Sequence, residues 1–141
     1  MPIANPAAGL VIGYHYLWKR EADQGLEEGA KPRPVMVLAT QASSTIVKVW
    51  VVPFTTQQPH DPGEAVAIPS AVLRMLGLGD GSSWAIASEL NLFEWPGPDI
   101  AKLSAEADFA LGRVPPALFI RIRQRVLAVH ADGKLASVGR T

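Results

Sequence analysis

Apolar residues in this chain form short runs, separated by polar segments rich in glycine and proline. Runs of β-branched and aromatic residues predict strands at residues 9–18, 34–39, 45–53 and 65–69. In the third of these runs, Val47, Val49 and Val51 occupy one face, and Lys48 and Trp50 the other. The segment "SSWAIASELNLFEW" predicts one or two further strands before the "PGPD" turn stops them.

Helical spacing is found in two places. Ser70 is predicted to cap a short helix, "AVLRMLG", that Gly77 closes. A longer helix is predicted over residues 115–129, where two prolines suit the first turn. Its apolar positions recur on one face, at Leu118, Ile122, Val126 and Val129.

These elements predict a mainly β fold with one short helix and a C-terminal helix. Five or more short strands in mostly sequential order favour a small, curled antiparallel sheet or partial barrel. The chain has 141 residues, which suits a single domain over 1–141 because domains commonly have ~100–150 residues. We place its core at about 9–129 and expect a frayed tail at 130–141.

The amino-acid composition limits the kinds of binding and catalytic site that the chain can form. Thirteen basic and 13 acidic side chains cancel, so any binding of nucleic acid must use a local patch. The chain has no cysteine, which excludes disulfides and thiolate sites, and its histidines show no metal-ligand spacing. We expect neither metal nor cofactor. No signal-peptide pattern is present and no apolar run approaches the roughly 18 residues of a membrane span, so we expect a cytoplasmic protein.

Arg33 is the first candidate for function. In "EGAKPRPVMVLAT" it stands between two prolines where a charged loop becomes a strand. It is either a surface arginine that pairs with Glu27 or Glu28, or an anion clamp. A guanidinium matches the oxygens of a phosphate with a planar fork of donors, and flanking prolines would reduce the entropy lost in holding it.

Thr55, Thr56 and Glu28 are candidates with similar alternatives. The two threonines follow Pro53 at the end of the third strand, where hydroxyls cap turns or donate to charge developing on phosphorus. Glu28 is either a solvated loop carboxylate or, if burial raised its pKa, a general base.

Four further residues could contact a substrate. His60 lies in the polar loop after Thr55, although "HDPG" is also a good turn. Glu89 and Asn91 share one face of a strand and form either a polar site or the outer side of an edge strand. Trp95, in the rigid "EWPGPD" turn, either stacks on a base or packs against its prolines.

Taken together, these segments resemble the MazF/PemK family of bacterial toxin–antitoxin ribonucleases. The order is a glycine-initiated strand ("GLVIGYHY"), a charged loop with Arg-Pro before an apolar strand ("EGAKPRPVMVL"), and a strand that ends in Val-Pro-x-Thr ("VVPFTTQ"). An amphipathic helix entered through proline follows ("VPPALFIRIRQRVLAV"). The resemblance spans roughly residues 9–129.

The resemblance implies an SH3-like barrel of the CcdB/MazF type, a homodimer and a growth-inhibiting toxin that a small antitoxin neutralises. It also implies metal-independent cleavage of single-stranded RNA, with the neighbouring 2′-hydroxyl attacking phosphorus. The family's catalytic arginine, threonine and loop glutamate fall on Arg33, Thr55 and Glu28. The remaining candidates would then bind the RNA: Thr56, His60, Glu89, Asn91 and Trp95.

Two alternatives to a ribonuclease follow from the same pattern. One is a barrel without catalytic activity that binds nucleic acid or a protein partner, which the fold does not distinguish from a ribonuclease. A gyrase poison like the CcdB toxins is the other, but those act through a Trp-Gly-Ile end on the terminal helix. This sequence ends "KLASVGRT", which argues against it.

Overall fold

A computed structural model of the chain describes residues 5–25, 31–79 and 81–140. Within these ranges the chain is mainly β, as predicted. The strands are β1 (Leu10–Tyr14), β2 (Arg33–Ala42), β3 (Val47–Thr55), β4 (Ala65–Ala67), β5 (Trp84–Ile86), β6 (Glu89–Glu94), β7 (Ala110–Arg113) and β8 (Ala136–Gly139). The helices are α1 (Lys19–Asp23), α2 (Ser70–Met75) and α3 (Pro116–Ala131), with a 3₁₀ turn at Pro62–Glu64.

The strands form one sheet in the order β4-β5-β3-β2-β1-β7, and every pair along this path is antiparallel. Strand β6 also pairs with β3, and β8 pairs with β6 in parallel. The sheet does not close into a barrel, because β4 and β7 lie at opposite ends of the path and do not pair with each other. The open sheet fits the curled antiparallel sheet that the strand pattern predicted, and the described residues do not form a closed barrel.

Both faces of the central strands are buried, which explains their nearly continuous apolar runs. On one face, Met36 and Val52 pack with Ile122 of α3. On the other face, Val49 and Val51 pack together with Tyr14, Phe93 and other apolar residues of β1, β2 and β6. The predicted alternation in β3 is confirmed.

The helices differ from their predictions mainly at their ends. The four apolar positions of α3 are all buried, as its periodicity predicted. Helix α2 begins at Ser70 with Pro69 at its N-cap, so Ser70 does not cap it. Helix α1 interrupts the segment predicted as a loop, and Glu21 Oε1 accepts a hydrogen bond from Trp18 N (3.1 Å) at its start. None of the described helices is both long and apolar enough to cross a membrane.

The prediction of a frayed tail was wrong. Strand β8 pairs with β6, where Asn91 lies opposite Val138. Beyond it, Arg140 Nη2 forms an ion pair with Asp99 Oδ2 at 3.0 Å, and the Arg140 side chain is only 3% exposed. The tail is ordered by partners distant in sequence, which a local pattern does not reveal.

Candidate functional site

The register of β2 on β3 brings Arg33 to Thr55. Val35 pairs with Pro53 and Met36 with Val52. The same antiparallel register, continued by two residues, places Arg33 opposite Thr55, on the same side of the sheet. Both residues line a cleft of about 250 Å³ at the point where β2 begins and β3 ends.

Five of the predicted site residues line this cleft: Arg33, Thr55, Thr56, His60 and Glu89. They come from the start of β2, the end of β3 and the loop after it, and the start of β6. Asn91 and Trp95 do not line it. Glu28, the predicted loop glutamate, lies outside the described residues.

Arg33 is held by an aromatic ring. Its guanidinium carbon lies 4.9 Å from the centre of the buried Trp18 indole, and Arg20 lies 5.4 Å from the same ring. These distances are typical of cation–π contacts. The ring of Tyr16 in turn packs edge-on against Trp18, with centroids 5.0 Å apart.

The polar atoms of Arg33 leave it suited to bind an anion. Its Nε is buried and has no hydrogen-bond partner among the described residues. Those residues also give Arg33 no ion pair. Burial lowers the pKa of Arg33, while Glu21 raises it and Arg20 lowers it further. An arginine nevertheless stays charged in proteins, so a cation with an unused donor lines the cleft.

Thr55 stabilises a turn and keeps its hydroxyl proton available. Its Oγ1 accepts a hydrogen bond from Gln57 N at 3.1 Å, which stabilises the turn after β3. A hydroxyl that accepts in this way still has its own proton to donate. Thr55 is half-buried and Thr56 is exposed, so the turn holds the Thr55 hydroxyl at the cleft.

Glu89 is a partly buried carboxylate held on one oxygen. Its Oε1 accepts from Tyr16 Oη and from Lys19 N, both at 3.0 Å. Burial raises the pKa of Glu89, and these two hydrogen bonds offset only part of that effect. A carboxyl group with a raised pKa exchanges protons nearer to neutral pH, as general acids and bases do.

The raised pKa of Glu89 predicts how its replacement changes stability with pH. Because the folded state holds this proton more tightly than the unfolded state, the free energy of unfolding falls as pH rises above the ordinary carboxyl value of 4.5. Glu89→Gln keeps an acceptor for Tyr16 and Lys19 but does not titrate. We therefore expect Glu89→Gln to gain stability relative to the wild type as pH rises from 4.5 towards neutrality. Urea unfolding of both proteins across this range tests it, and a constant difference would contradict it.

Asn91 and Trp95 have interactions inside the fold. Asn91 is fully buried, its Nδ2 donates to Leu17 O (2.8 Å), and its Oδ1 accepts from Leu17 N (2.9 Å) and Arg140 Nη1 (3.1 Å). The ring of Trp95 packs near Phe93, with centroids 6.1 Å apart. Asn91 thus joins the segment before α1 to the C-terminal strand.

Sequence reasoning missed several cleft residues, among them the aromatic and basic side chains of Trp18, Arg20 and Lys31. The signal was present in "WKR", since an aromatic residue next to basic ones is typical of surfaces that bind single-stranded nucleic acid. Among the cleft residues, the cations Arg20, Lys31 and Arg33 are matched by Asp61, Glu64 and Glu89.

The chain matches no model of a known protein family, and no curated protein is significantly similar to it. In the part of the chain that the structure describes, no three histidine or carboxylate residues lie close enough together to hold a metal ion.

Proposed function

We propose that the cleft binds single-stranded RNA and cleaves it through attack of a 2′-hydroxyl on the neighbouring phosphorus. The observation that carries this proposal is the pairing of Arg33 and Thr55 across the β2–β3 register in one cleft, where Arg33 has no ion pair with any of the described residues. The resemblance of the sequence to the MazF/PemK ribonucleases supports the same chemistry. We further propose that the open sheet is a variant of that family's SH3-like fold.

Three cleft residues have chemical roles in this reaction. Glu89 accepts the proton of the 2′-hydroxyl as the 2′-oxygen–phosphorus bond forms. Arg33 and the Thr55 hydroxyl donate hydrogen bonds to the phosphoryl oxygens, where negative charge increases. The bond from phosphorus to the 5′-oxygen then breaks, and that oxygen takes a proton from a water molecule while the charged Arg33 stabilises it with a hydrogen bond. The proton that Glu89 accepted returns to the solvent. The products are a 2′,3′-cyclic phosphate and a 5′-hydroxyl.

Residues around the reacting groups would hold the RNA. Arg20 is exposed on the Trp18 ring, so a base can stack on its guanidinium plane. Thr56 and His60 are exposed on the loop after β3, where they can contact the next nucleotide. The requirement for a 2′-hydroxyl would restrict the enzyme to RNA.

The biological role that goes with this chemistry is a growth-inhibiting toxin. We propose that the protein degrades messenger RNA, acts as a homodimer and is neutralised by a small antitoxin. Expression in bacteria should arrest growth with RNA decay and without DNA breaks, and sizing of the purified protein should give a dimer. DNA breaks would instead favour a gyrase poison.

Thr55 provides a test of the catalytic roles. Thr55→Val removes the donor and keeps the shape, so we expect kcat to fall about 10²-fold, as when one transition-state donor is removed. Thr55→Ser should recover most of the activity. Thr56→Val is the matched control on the adjacent exposed position. Equal, small losses in both valine variants would remove Thr55 from the mechanism.

A second candidate function is binding of nucleic acid or a protein partner without cleavage. The observation that favours it is the balance of three acidic and three basic side chains around the cleft, which limits the field available to stabilise an anionic transition state. RNA that binds tightly to wild type, loses affinity in Arg33→Ala and is never cleaved would support this function.

A further inference from the structure

A second cleft adjoins the first across the 3₁₀ turn. It has a volume of about 370 Å³ and lies between α3 and the strand β4. Asp61 and Glu64 of the turn region line the first cleft, while Pro62 and Ala65 line the second. One short turn therefore forms a wall of both clefts.

The charge of the second cleft differs from that of the first. Its polar side chains are Arg121, Gln124 and Arg125 of α3, and no acidic residue is among the described residues that line it. Because the chain as a whole is neutral, binding of nucleic acid requires a local basic patch. The two arginines of the second cleft form such a patch.

Arg125 is fixed in this cleft by the backbone. Its Nη1 donates to three carbonyl oxygens around the 3₁₀ turn: Pro62 O (3.4 Å), Gly63 O (3.0 Å) and Ala65 O (3.1 Å). Nη2 and Nε make no hydrogen bond with the described residues, so they keep their donors. Arg121, one helical turn earlier, is exposed and extends the same face.

We propose that the second cleft is a phosphate subsite for the RNA strand that continues from the first cleft across the 3₁₀ turn. This inference rests on the proposed function, because it assigns the strand in the second cleft to the substrate of the first. Arg121 and Arg125 would each contact one backbone phosphate without reading a base. Gln124 can donate to the sugar or phosphate between them.

The test compares Arg121→Glu with Arg123→Glu. Arg123 is an exposed arginine of the same helix that lines neither cleft, so it controls for charge reversal and for helix stability. The probes are a dinucleotide and an oligonucleotide of about ten nucleotides, within the range that single-strand sites cover. Cleavage is followed on plain RNA, and affinity on uncleavable 2′-O-methyl RNA over a series of salt concentrations.

We expect Arg121→Glu to raise KM on the longer RNA about tenfold or more and to leave the dinucleotide unchanged. The negative slope of log K against log salt should become less steep by roughly 0.7, the contribution of one single-strand phosphate contact. Arg123→Glu should match the wild type on both probes. Arg125→Lys can still donate to the carbonyl oxygens but has no second nitrogen for a phosphate. It should also weaken binding of only the longer RNA.

Two outcomes would overturn the subsite. One is equal behaviour of Arg121→Glu and Arg123→Glu on the longer RNA, in both KM and salt slope. The other is a loss in Arg121→Glu that is as large on the dinucleotide. Failure of the proposed function looks different, because the wild type would then cleave no RNA of either length. In that case, binding of 2′-O-methyl RNA still decides whether the second cleft holds a strand. Binding of an acidic peptide instead of RNA would assign this cleft to a protein partner and also overturn the proposal.

Discussion

Replacing Arg33 by alanine is expected to lower kcat for RNA cleavage about 10³-fold, with a smaller effect on KM. Arg33 is the cation across from Thr55 in the cleft, and in the proposed reaction its donors bind charge that exists only in the transition state. Removal of one such donor in other enzymes costs about 10²–10³ in kcat, and Arg33 also brings a full positive charge to the phosphoryl group in the proposed reaction. Single-turnover cleavage of one oligonucleotide measures the loss.

Arg33→Lys separates charge from geometry. A lysine keeps the positive charge but not the planar fork or the stacking on Trp18, so we expect it to recover less than a tenth of wild-type activity. Arg20→Ala, which removes the other guanidinium on that ring, is the matched control and should mainly raise KM. If Arg33→Ala keeps wild-type kcat, or if Arg20→Ala loses as much kcat, Arg33 is not the catalytic centre.

The largest effect on stability is expected at the C-terminal end. Arg140→Leu removes the cation from a buried pair, since the Arg140 and Asp99 side chains are only 3% and 15% exposed. It also removes donors to His15 O (2.9 Å) and Asn91 Oδ1 (3.1 Å). An uncompensated buried charge costs about 3–5 kcal/mol, and we expect the free energy of unfolding to fall by that amount.

Urea denaturation followed by tryptophan fluorescence measures the Arg140 effect. Arg123→Leu, an exposed arginine replaced in the same way, should change stability by less than about 0.5 kcal/mol. The double variant Arg140→Leu with Asp99→Asn should be more stable than Arg140→Leu alone, because the unpaired charge is gone. An Arg140→Leu protein as stable as the Arg123→Leu control would show that the Arg140 interactions contribute nothing measurable to the fold.

Local patterns predicted those parts of the fold that depend on local physics. The alternation of Val47, Val49 and Val51 placed a strand with its buried face, and the spacing from Leu118 to Val129 placed α3. Arg33 and Thr55 were chosen from adjacent turn chemistry. Their place in one cleft follows from the β2–β3 register, which neither strand end specifies by itself.

What the sequence did not reveal depends on contacts between distant residues. Apart from Val138, strand β8 consists of small, weakly β-forming residues, and it is held by β6 and by Arg140. Asn91 and Glu89 were predicted to share a polar strand face. In the structure Asn91 is fully buried against Leu17, whereas Glu89 lines the cleft. The contact of Trp18 with two guanidiniums follows from the turn into α1, a helix in a segment that was predicted as a loop.

Analysis of the ends produced from RNA by the purified wild-type protein, with a chelator present, tests the central claim most directly. The substrate is a single-stranded oligonucleotide, compared with the same oligonucleotide carrying 2′-deoxy sugars. If the protein is the proposed ribonuclease, we expect cleavage of the RNA alone, with a 2′,3′-cyclic phosphate on one product and a 5′-hydroxyl on the other. Absence of cleavage, products with a 5′-phosphate, or equal cleavage of the deoxy substrate would contradict it.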